Sequence, residues 1–565
     1  MISFHQRYYP FLLLMVFFAR PLYAQELSAL RDEKPLEASG GISISQIGYA
    51  SINGPSRRTP YNLYMSGNLN LSIYGYTIPL SLRYSNQQAR FRQPFNQLGL
   101  SPSYKWVKAY IGYSSMNFSP YTFHGHIFNG AGFVLTPSKV ITVSMLYGRL
   151  RKETPALDSA ATSPSFKRMG YGLKIELKNK KDHAHITFFH AGDQTNPLHL
   201  IYEQYGVTPQ NNTVISTGAG KHLGKSFTAN AEWATSLLTR DTRLSSPWTH
   251  PLSKIRSLHT NASSSLYTAF KTGLNYHSEK ISGGLQYENV APEYRTLGAY
   301  YFNNDLETIS LNTNLTLNQK IKISARAGSQ RDNIKRQKTS ATNRLVGSVN
   351  ATYSPLDRLS LSAGYSNFKT YTNVKPVTDL LSSTALEELD TLDYYQVSSQ
   401  GNLSVNYQFS SGKTIKQNLF INISHQTSAG MSGHQEHAAD TKFTLITIAH
   451  QLSVPNSNLT LSPAANISRQ HFGEQLIQTL GPGINIARPF INKQLRLSLS
   501  AAVNLHLPDP GQQRSFVSRL GGTYKASKHH ILSLFLSAVN RTTHTESGGK
   551  RLSELTGTLN YNFRF

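Results

Sequence analysis

The stretch LTGTLNYNFRF, at Leu555–Phe565, decides the fold of this chain. Its odd positions carry apolar residues or glycine, and its even positions carry polar or charged residues. Because successive side chains of a β-strand point to opposite faces, this pattern predicts a strand with one apolar and one polar face. Such a strand suits a wall that separates lipid from a water-filled interior.

The same stretch resembles the C-terminal signal of outer-membrane β-barrel proteins, in which the last residue is aromatic. The resemblance implies that Leu559, Tyr561, Phe563 and Phe565 form an insertion signal for the barrel-assembly machinery. It also implies a multi-pass protein of the Gram-negative outer membrane, with Phe565 at the periplasmic rim. The surrounding lipid, including lipopolysaccharide, is then an expected partner.

The composition excludes a membrane protein built of helices. Of the 565 residues 39% are hydrophobic, and after the first two dozen no apolar run approaches the ~18–20 residues of a transmembrane helix. Residues 1–24 have the features of a secretory signal peptide, with Arg7 before the apolar stretch and a small residue, Ala24, at the expected cleavage site. The sequence contains no cysteine, so disulfides and thiolate metal sites are excluded.

The formal net charge is +26 at pH 7, and loss of Arg7 and Arg20 with the signal peptide lowers it by two. This excess of cations favours an acidic ligand or anionic lipid headgroups as partners. We expect no nucleic-acid partner, because the exported chain has no recognisable nucleic-acid-binding module.

Alternating runs recur from about residue 61 onward, and the clearest is LRLSLSAAVNL at 495–505. Runs of ~10–14 residues exceed the usual soluble strand and match a tilted crossing of a bilayer. From about residue 127, short connections largely alternate with longer ones, which include 429–437 and 542–550. This asymmetry is typical of outer-membrane barrels, whereas a periplasmic β-sandwich requires neither the long strands nor the sorted loops.

We therefore predict an all-β fold, a transmembrane antiparallel β-barrel of about 24 strands, with a range of roughly 22 to 26. The barrel spans residues 61–565, and residues 25–60 form a periplasmic N-terminal arm with one short strand near 41–49. A barrel of this size has a backbone diameter of ~45–50 Å, which wall side chains cannot fill. We expect infolded loops, the arm, residues 91–104 or a partner protein in the lumen.

Cations collect in the register that faces the lumen. On the lipid face each would cost ~2–4 kcal/mol at mid-membrane, which favours the inward assignment. The residues of this predicted basic wall are Lys320, Lys322, Arg326, Arg344, Lys416, Arg496 and Arg519. A basic wall favours anionic solutes or an acidic partner. Alternatively, several of these side chains lie near strand ends and bind lipid phosphates or water.

Residues 292–305 form the most motif-like connection, because their apolar and aromatic density is high for a free extracellular loop. We expect this segment to fold into the lumen as a plug or to dock a partner. Its candidate residues are Tyr294, Arg295, Tyr300, Tyr301 and Phe302. The segment also resembles loops of large barrels from the Bacteroidota.

The sequence offers no enzyme motif. Histidine pairs such as His124/His126 and His183/His185 fall on one face of a strand, but each lacks a third ligand nearby, so we expect no metal site. No nucleophile elbow, Walker loop or zinc-peptidase helix is present. We therefore expect neither catalytic residues nor a cofactor.

Two functions remain open. The first is a transport channel, favouring anionic solutes, in a barrel that resembles porins and TonB-dependent receptors but lacks room for a plug domain before its first strand. The second is a barrel scaffold that binds a secreted, surface or periplasmic partner protein in its lumen or at its rim.

Overall fold

The chain alternates strands with connections from Glu37 to Arg564. The computed structural model describes residues 36–74, 76–86, 97–154, 164–179, 181–195, 206–255, 258–300, 302–335, 343–371, 394–411, 415–432, 435–473, 475–508, 512–545 and 548–565. The strands are β1 (Glu37–Ile52), β2 (Tyr61–Ile73), β3 (Tyr76–Ser85), β4 (Gln97–Leu100), β5 (Ser103–Tyr104), β6 (Val107–Ser115), β7 (Ile127–Leu135), β8 (Ile141–Arg151), β9 (Lys167–Asn179), β10 (Asp182–Gln194), β11 (Asn211–Leu223), β12 (Phe227–Thr239), β13 (Ser264–His277), β14 (Ile281–Val290), β15 (Leu306–Leu317), β16 (Ile321–Arg331), β17 (Asn343–Leu356), β18 (Leu359–Tyr371), β19 (Tyr394–Ser411), β20 (Lys416–Ser432), β21 (Gln435–Val454), β22 (Leu459–Phe472), β23 (Gln475–Phe490), β24 (Leu495–Pro508), β25 (Gln512–Lys525), β26 (His530–Thr545) and β27 (Gly548–Arg564).

Short 3₁₀ segments lie at Pro251–Lys254 and Pro455–Ser457. In the described part of the chain, no helix combines the length and the apolar character that a membrane crossing requires.

The sheet closes on itself through its first and last strands. β1 pairs with β2 on one side and with β27 on the other, in a register that runs from Gly41 opposite Arg564 to Ile52 opposite Ser553. The hydroxyl of Tyr49 donates to Glu554 across this seam at 2.7 Å. All strand pairings are antiparallel, so the architecture is a closed antiparallel barrel as predicted.

The described residues form 26 strand positions in the wall, because β4 and β5 are two halves of one. Both halves lie between β3 and β6 and are separated by residues 101–102. The number is two more than the predicted 24 and falls at the upper limit of the predicted range.

One added strand is β1, which begins at Glu37 and lies within the range 25–60 that we assigned to an N-terminal arm. The barrel wall therefore starts before residue 61. The strand predicted near 41–49 is its central part. It is a wall strand because both of its edges are hydrogen bonded, to β2 and to β27.

The outer face of the barrel is apolar. On β24, Leu497, Leu499 and Val503 are 38%, 50% and 41% exposed, and they point away from the lumen. The intervening Arg496, Ser498 and Ser500 point inward. A wall with this division has the lipid-facing and lumen-facing surfaces of a membrane barrel.

The two ends of the barrel differ in their connections. At one end, here called the turn end, strands are joined by tight turns that use left-handed residues such as Gly224, Asn458 and Asn492. The opposite end, here called the loop end, carries the longer connections of the first two thirds of the chain. Two predicted long connections are wrong, because β20 runs to Ser432, β21 starts at Gln435, and β26 and β27 extend to Thr545 and from Gly548. Strand pairing takes up most of those residues.

The buried core lies on one side of the lumen. Two clusters of buried apolar side chains fill the space between the inner face of β7–β14 and two connections that fold inward. These connections define the candidate site.

Candidate functional site

Two connections fold into the lumen and touch each other. They are residues 116–126, between β6 and β7, and residues 291–305, between β14 and β15, and together they are here called the inner layer. Phe123 and Gly298 form a parallel β-bridge, in which the amide of His124 donates to the carbonyl of Gly298 at 3.0 Å. The hydroxyl of Tyr294 donates to the carbonyl of Tyr121 at 2.8 Å. The lumen-folding alternative predicted for residues 292–305 agrees with this arrangement.

Aromatic side chains hold the first segment against the wall. The ring of Phe123 is fully buried, and its centroid lies 5.4 Å from Phe189, 6.2 Å from Phe128 and 5.9 Å from Phe118. Phe128 and Phe189 belong to the inner faces of β7 and β10. Burial of a large aromatic side chain contributes on the order of 1.5–3 kcal/mol. The inner layer is therefore packed like a protein core.

The second segment is held by its backbone and by a second aromatic group. The side chain of Asn212, buried on β11, donates to the carbonyl of Arg295 and accepts the amide of Leu297 at 3.0 Å. Tyr294 is fully buried, and the ring of Phe302 lies 5.0 Å from it. Burial raises the pKa of Tyr294. Tyr301 lies outside the described residues.

Inward carboxylates of the wall bind the inner layer from below. Ser119 donates to Glu232 on β12, and the hydroxyl of Tyr121 donates to Glu288 on β14 at 2.6 Å. Burial, followed by the nearby Glu288 charge, raises the pKa of Tyr121, which therefore stays a donor. These hydrogen bonds replace the hydration that the carboxylates of Glu232 and Glu288 lose beneath the layer.

A histidine completes this group. The Nε2 atom of His185 lies 3.8 Å from Glu232. Its ring occupies the space above Gly218, where an added Cβ would lie 2.4 Å from the ring. His183 covers Gly220 in the same way. Among the described residues, no group of three or more His, Asp or Glu side chains is arranged to hold a metal ion.

The rim of the layer is fastened by a charged contact. Arg240 donates to Glu293 at 2.7 Å, and the hydroxyl of Tyr267 donates to the same oxygen at 2.8 Å. The hydrogen bonds from Arg240 and Tyr267 lower the pKa of Glu293. Because both charged side chains are largely exposed, this contact positions the loop more than it stabilises it.

At the other edge of the layer, His126 stacks on Tyr300 with ring centroids 4.0 Å apart. The Tyr300 hydroxyl also accepts the amide of Ile127 at 3.2 Å. Burial lowers the pKa of His126 to about 4, so the ring is neutral at pH 7.

Part of the predicted basic wall lies across the lumen from this layer, on β24 and β25, and part lies on β16, two strands beyond β14. Lys322, Arg326, Arg496 and Arg519 are exposed and occupy the inward register of β16, β24 and β25. Lys416 shares the inward face of β20 at the turn end. Lys320 lies in the turn before β16, so its assignment to that strand is wrong. Arg344 lies on β17 opposite Gln330, and its side chain is outside the described part.

Inward carboxylates are unevenly distributed around the wall, whereas inward cations also occur beside them, as Arg168, Lys174 and Lys178 do on β9. The inward carboxylates Glu176, Asp193, Glu232 and Glu288 lie on β9–β14, under or beside the inner layer, and Glu554 lies on β27 at the seam. Among the side chains that the structure describes, no Asp or Glu of β15–β25 points into the lumen. This half of the wall therefore presents a lumen surface of cations and uncharged polar groups.

The predicted insertion signal occupies the outer face of β27. Leu559, Tyr561 and Phe563 point outward in register with β1, and the ring of Phe565 lies 5.4 Å from that of Phe563. The amide of Gly40 donates to the carbonyl of Phe565 at 3.0 Å. Phe565 is therefore fixed at the turn end.

The sequence reasoning missed residues 116–126, half of the inner layer. The signal was present in NFSPYTFHGH at 117–126, whose aromatic density equals that of the segment that was selected. The two segments are about 170 residues apart in the chain, and alternation along strands carries no information on such a contact.

No family model matches the sequence, and no curated protein matches it. Among solved structures, the translocation pore of the P pilus usher is similar, with 11% identity and a TM-score of 0.37 over 93% of this chain and 98% of that chain. The copper transporter OprC is similar with 9% sequence identity and a TM-score of 0.39, over 94% of this chain and 81% of that chain. The FrpB iron transporter from Neisseria meningitidis is similar with 11% sequence identity and a TM-score of 0.36, over 95% of this chain and 84% of that chain. The likeness is one of fold, the large outer-membrane β-barrel, and carries no argument about what this chain conducts or binds.

Proposed function

We propose that the protein is an integral outer-membrane channel that favours anionic solutes. In this proposal the turn end, with Phe565, faces the periplasm, and the loop end faces the outside. The surrounding lipid and the barrel-assembly machinery are its partners in the membrane and during insertion, and it is not an enzyme.

The lack of inward carboxylates among the described side chains of β15–β25 supports this function. The inner layer binds the carboxylates of Glu232 and Glu288, whereas the cations of β16, β24 and β25 remain exposed; these are Lys322, Arg326, Arg496 and Arg519. Charges of one sign that line a pore raise the local concentration of counter-ions. An anion moving along β15–β25 then meets cations and hydrogen-bond donors.

The same exposed wall also favours the alternative function. An acidic partner protein seated against β15–β25 would neutralise these cations, and the barrel would serve as a scaffold for secretion or assembly. This alternative requires a stable second protein, whereas the channel requires none.

The test compares two variants that each lose four cations. The inward variant is K322Q/R326Q/R496Q/R519Q, and the outward variant, K442Q/R469Q/R514Q/R551Q, removes cations from the lipid-facing register of β21, β22, β25 and β27. In planar bilayers under a salt gradient, we expect an anion-selective wild type. The inward variant should bring the anion-to-cation permeability ratio close to one, and the outward variant should leave it unchanged.

A wild type without conductance, or equal selectivity in all three proteins, contradicts the channel. Recovery of a stoichiometric second protein with the purified non-conducting barrel, and its loss in the inward variant, would establish the alternative.

A further inference from the structure

Four cations lie in the lipid-facing register at the loop end of the barrel. Lys442, Arg469, Arg514 and Arg551 are exposed and are here called the outer cation row. Each shares a strand face with outward apolar residues. Arg469 follows Ile467, and Arg514 precedes Phe516, by two residues each.

Their depth places them at the border of the apolar surface. Ile467, Phe516 and Leu555 are 48%, 43% and 49% exposed on the outer face, and the cations lie two to four residues beyond them towards the loop end. At ~3.3 Å per residue, this is the step from hydrocarbon to headgroup. A cation is costly on the lipid face at mid-membrane and tolerated near the interface.

The row has no protein counter-charge among the described side chains. Outward Arg331 pairs with Glu307, and inward Arg541 lies 3.9 Å from Glu554. By contrast, none of the four forms a salt bridge with a described carboxylate. Cations gathered on one side of the barrel repel one another, so their grouping favours an anionic partner outside the chain.

The strand register fixes the spacing. Lys442 and Arg469 lie on the neighbouring strands β21 and β22, two residue pairs apart along the ladder. Arg514 and Arg551 are both opposite Thr542, one on each side of β26. At ~4.8 Å per strand, the second pair spans ~10 Å and the gap from β22 to β25 is ~14 Å. The ~14 Å gap between the two pairs exceeds the reach of a single phosphate.

We propose that the outer cation row binds the bisphosphorylated glycolipid anchor of lipopolysaccharide. One phosphate lies between Arg469 and Lys442 and the other near Arg514 and Arg551, while the acyl chains cover the apolar face below. The choice of an outer-leaflet lipid rests on the proposed orientation, in which the loop end faces outward.

The experiment measures binding of defined lipids to the purified full-length barrel by native mass spectrometry and thermal stability in detergent. The probes are bisphosphorylated lipid A, dephosphorylated lipid A, cardiolipin and inorganic phosphate. We expect wild type to bind bisphosphorylated lipid A and to be stabilised by it. The outward variant should lose at least about tenfold in affinity, or about 1.4 kcal/mol. The inward variant should bind as wild type does, although it loses the same number of charges, including Arg519 on the strand that carries Arg514.

The proposal is overturned if bisphosphorylated lipid A binds wild type and the outward variant equally. It is also overturned if wild type binds dephosphorylated lipid A as tightly as the bisphosphorylated form. If cardiolipin or inorganic phosphate competes as well as lipid A, the row is a general phosphate surface and the glycolipid assignment is wrong. Retained conductance shows that the outward variant is folded. Because channel selectivity is read separately with the inward variant, failure of lipid binding leaves the proposed transport function intact.

Discussion

At the scale of residues, His126 is a buried titratable group whose surroundings oppose its charge. It stacks on Tyr300, and its Nδ1 atom lies 2.8 Å from the carbonyl of Ile127. Burial, with Arg168 and Arg151 nearby, outweighs that hydrogen bond and lowers the pKa to about 4 from 6.5. Protonation of this ring therefore works against docking of the inner layer.

We predict that the docked layer loses stability as the pH falls from 6.5 to 4. Above pH 6.5 the ring is neutral in both states and nothing is lost, whereas below pH 4 the loss is complete at about 3 kcal/mol. Hydrogen–deuterium exchange of residues 116–126, corrected for the intrinsic rate, measures this change. H126F retains a ring beside Tyr300 and cannot titrate, so it should remove the pH dependence. An identical profile in H126F would show that another group is responsible.

The sequence predicts the lipid and lumen faces well, because alternation is a local property. Leu497 and Leu499 point outward and Arg496 points inward, as the pattern indicates. The alternation pattern fails where the outward face is weakly apolar. On β1, the outward residues Gln46, Gly48 and Ala50 differ little in hydrophobicity from the inward residues. It also fails for contacts between distant connections.

At the scale of elements, the inner layer forms only when both connections meet. They approach closely at Gly298, where an added Cβ would lie 2.5 Å from the carbonyl oxygen of Thr122 and 2.8 Å from the ring of Phe189. Backbone and a buried ring cannot both move away without breaking the bridge to Phe123. Glycine at this position is therefore a steric requirement of the layer.

We predict that G298A undocks the layer while the barrel stays closed. Exchange of residues 116–126 and 291–300 should rise together, and single-channel conductance should increase because the lumen widens. The matched control is G48A, since an added Cβ at Gly48 meets nothing within 4 Å. Unchanged exchange in G298A would mean that the two connections dock independently.

At the scale of the whole molecule, closure depends on the last strand finding the first. β27 contributes the outward residues of the predicted insertion signal and forms the seam with β1. Phe565 is 38% exposed, as is Phe409 on β19, which also points outward near the turn end. Comparing substitutions at these two phenylalanines therefore distinguishes a role in recognition from simple contact with lipid.

We predict that F565S lowers the amount of assembled barrel several-fold in cells, whereas F409S has a small effect. Both substitutions remove a similarly exposed ring, but only Phe565 belongs to the predicted signal. Heat-modifiable migration of membrane fractions on gels measures the folded fraction. Equal losses in the two variants would contradict recognition through Phe565.

The seam between β1 and β27 has a consequence for how the protein is made. Its two partners are separated by most of the polypeptide, since the Tyr49 hydroxyl meets the carboxylate of Glu554. A ribosome that stalls anywhere upstream releases an unsealed ribbon with two free edges, which invite aggregation or proteolysis. Sealing of the barrel therefore waits until β27 has been made.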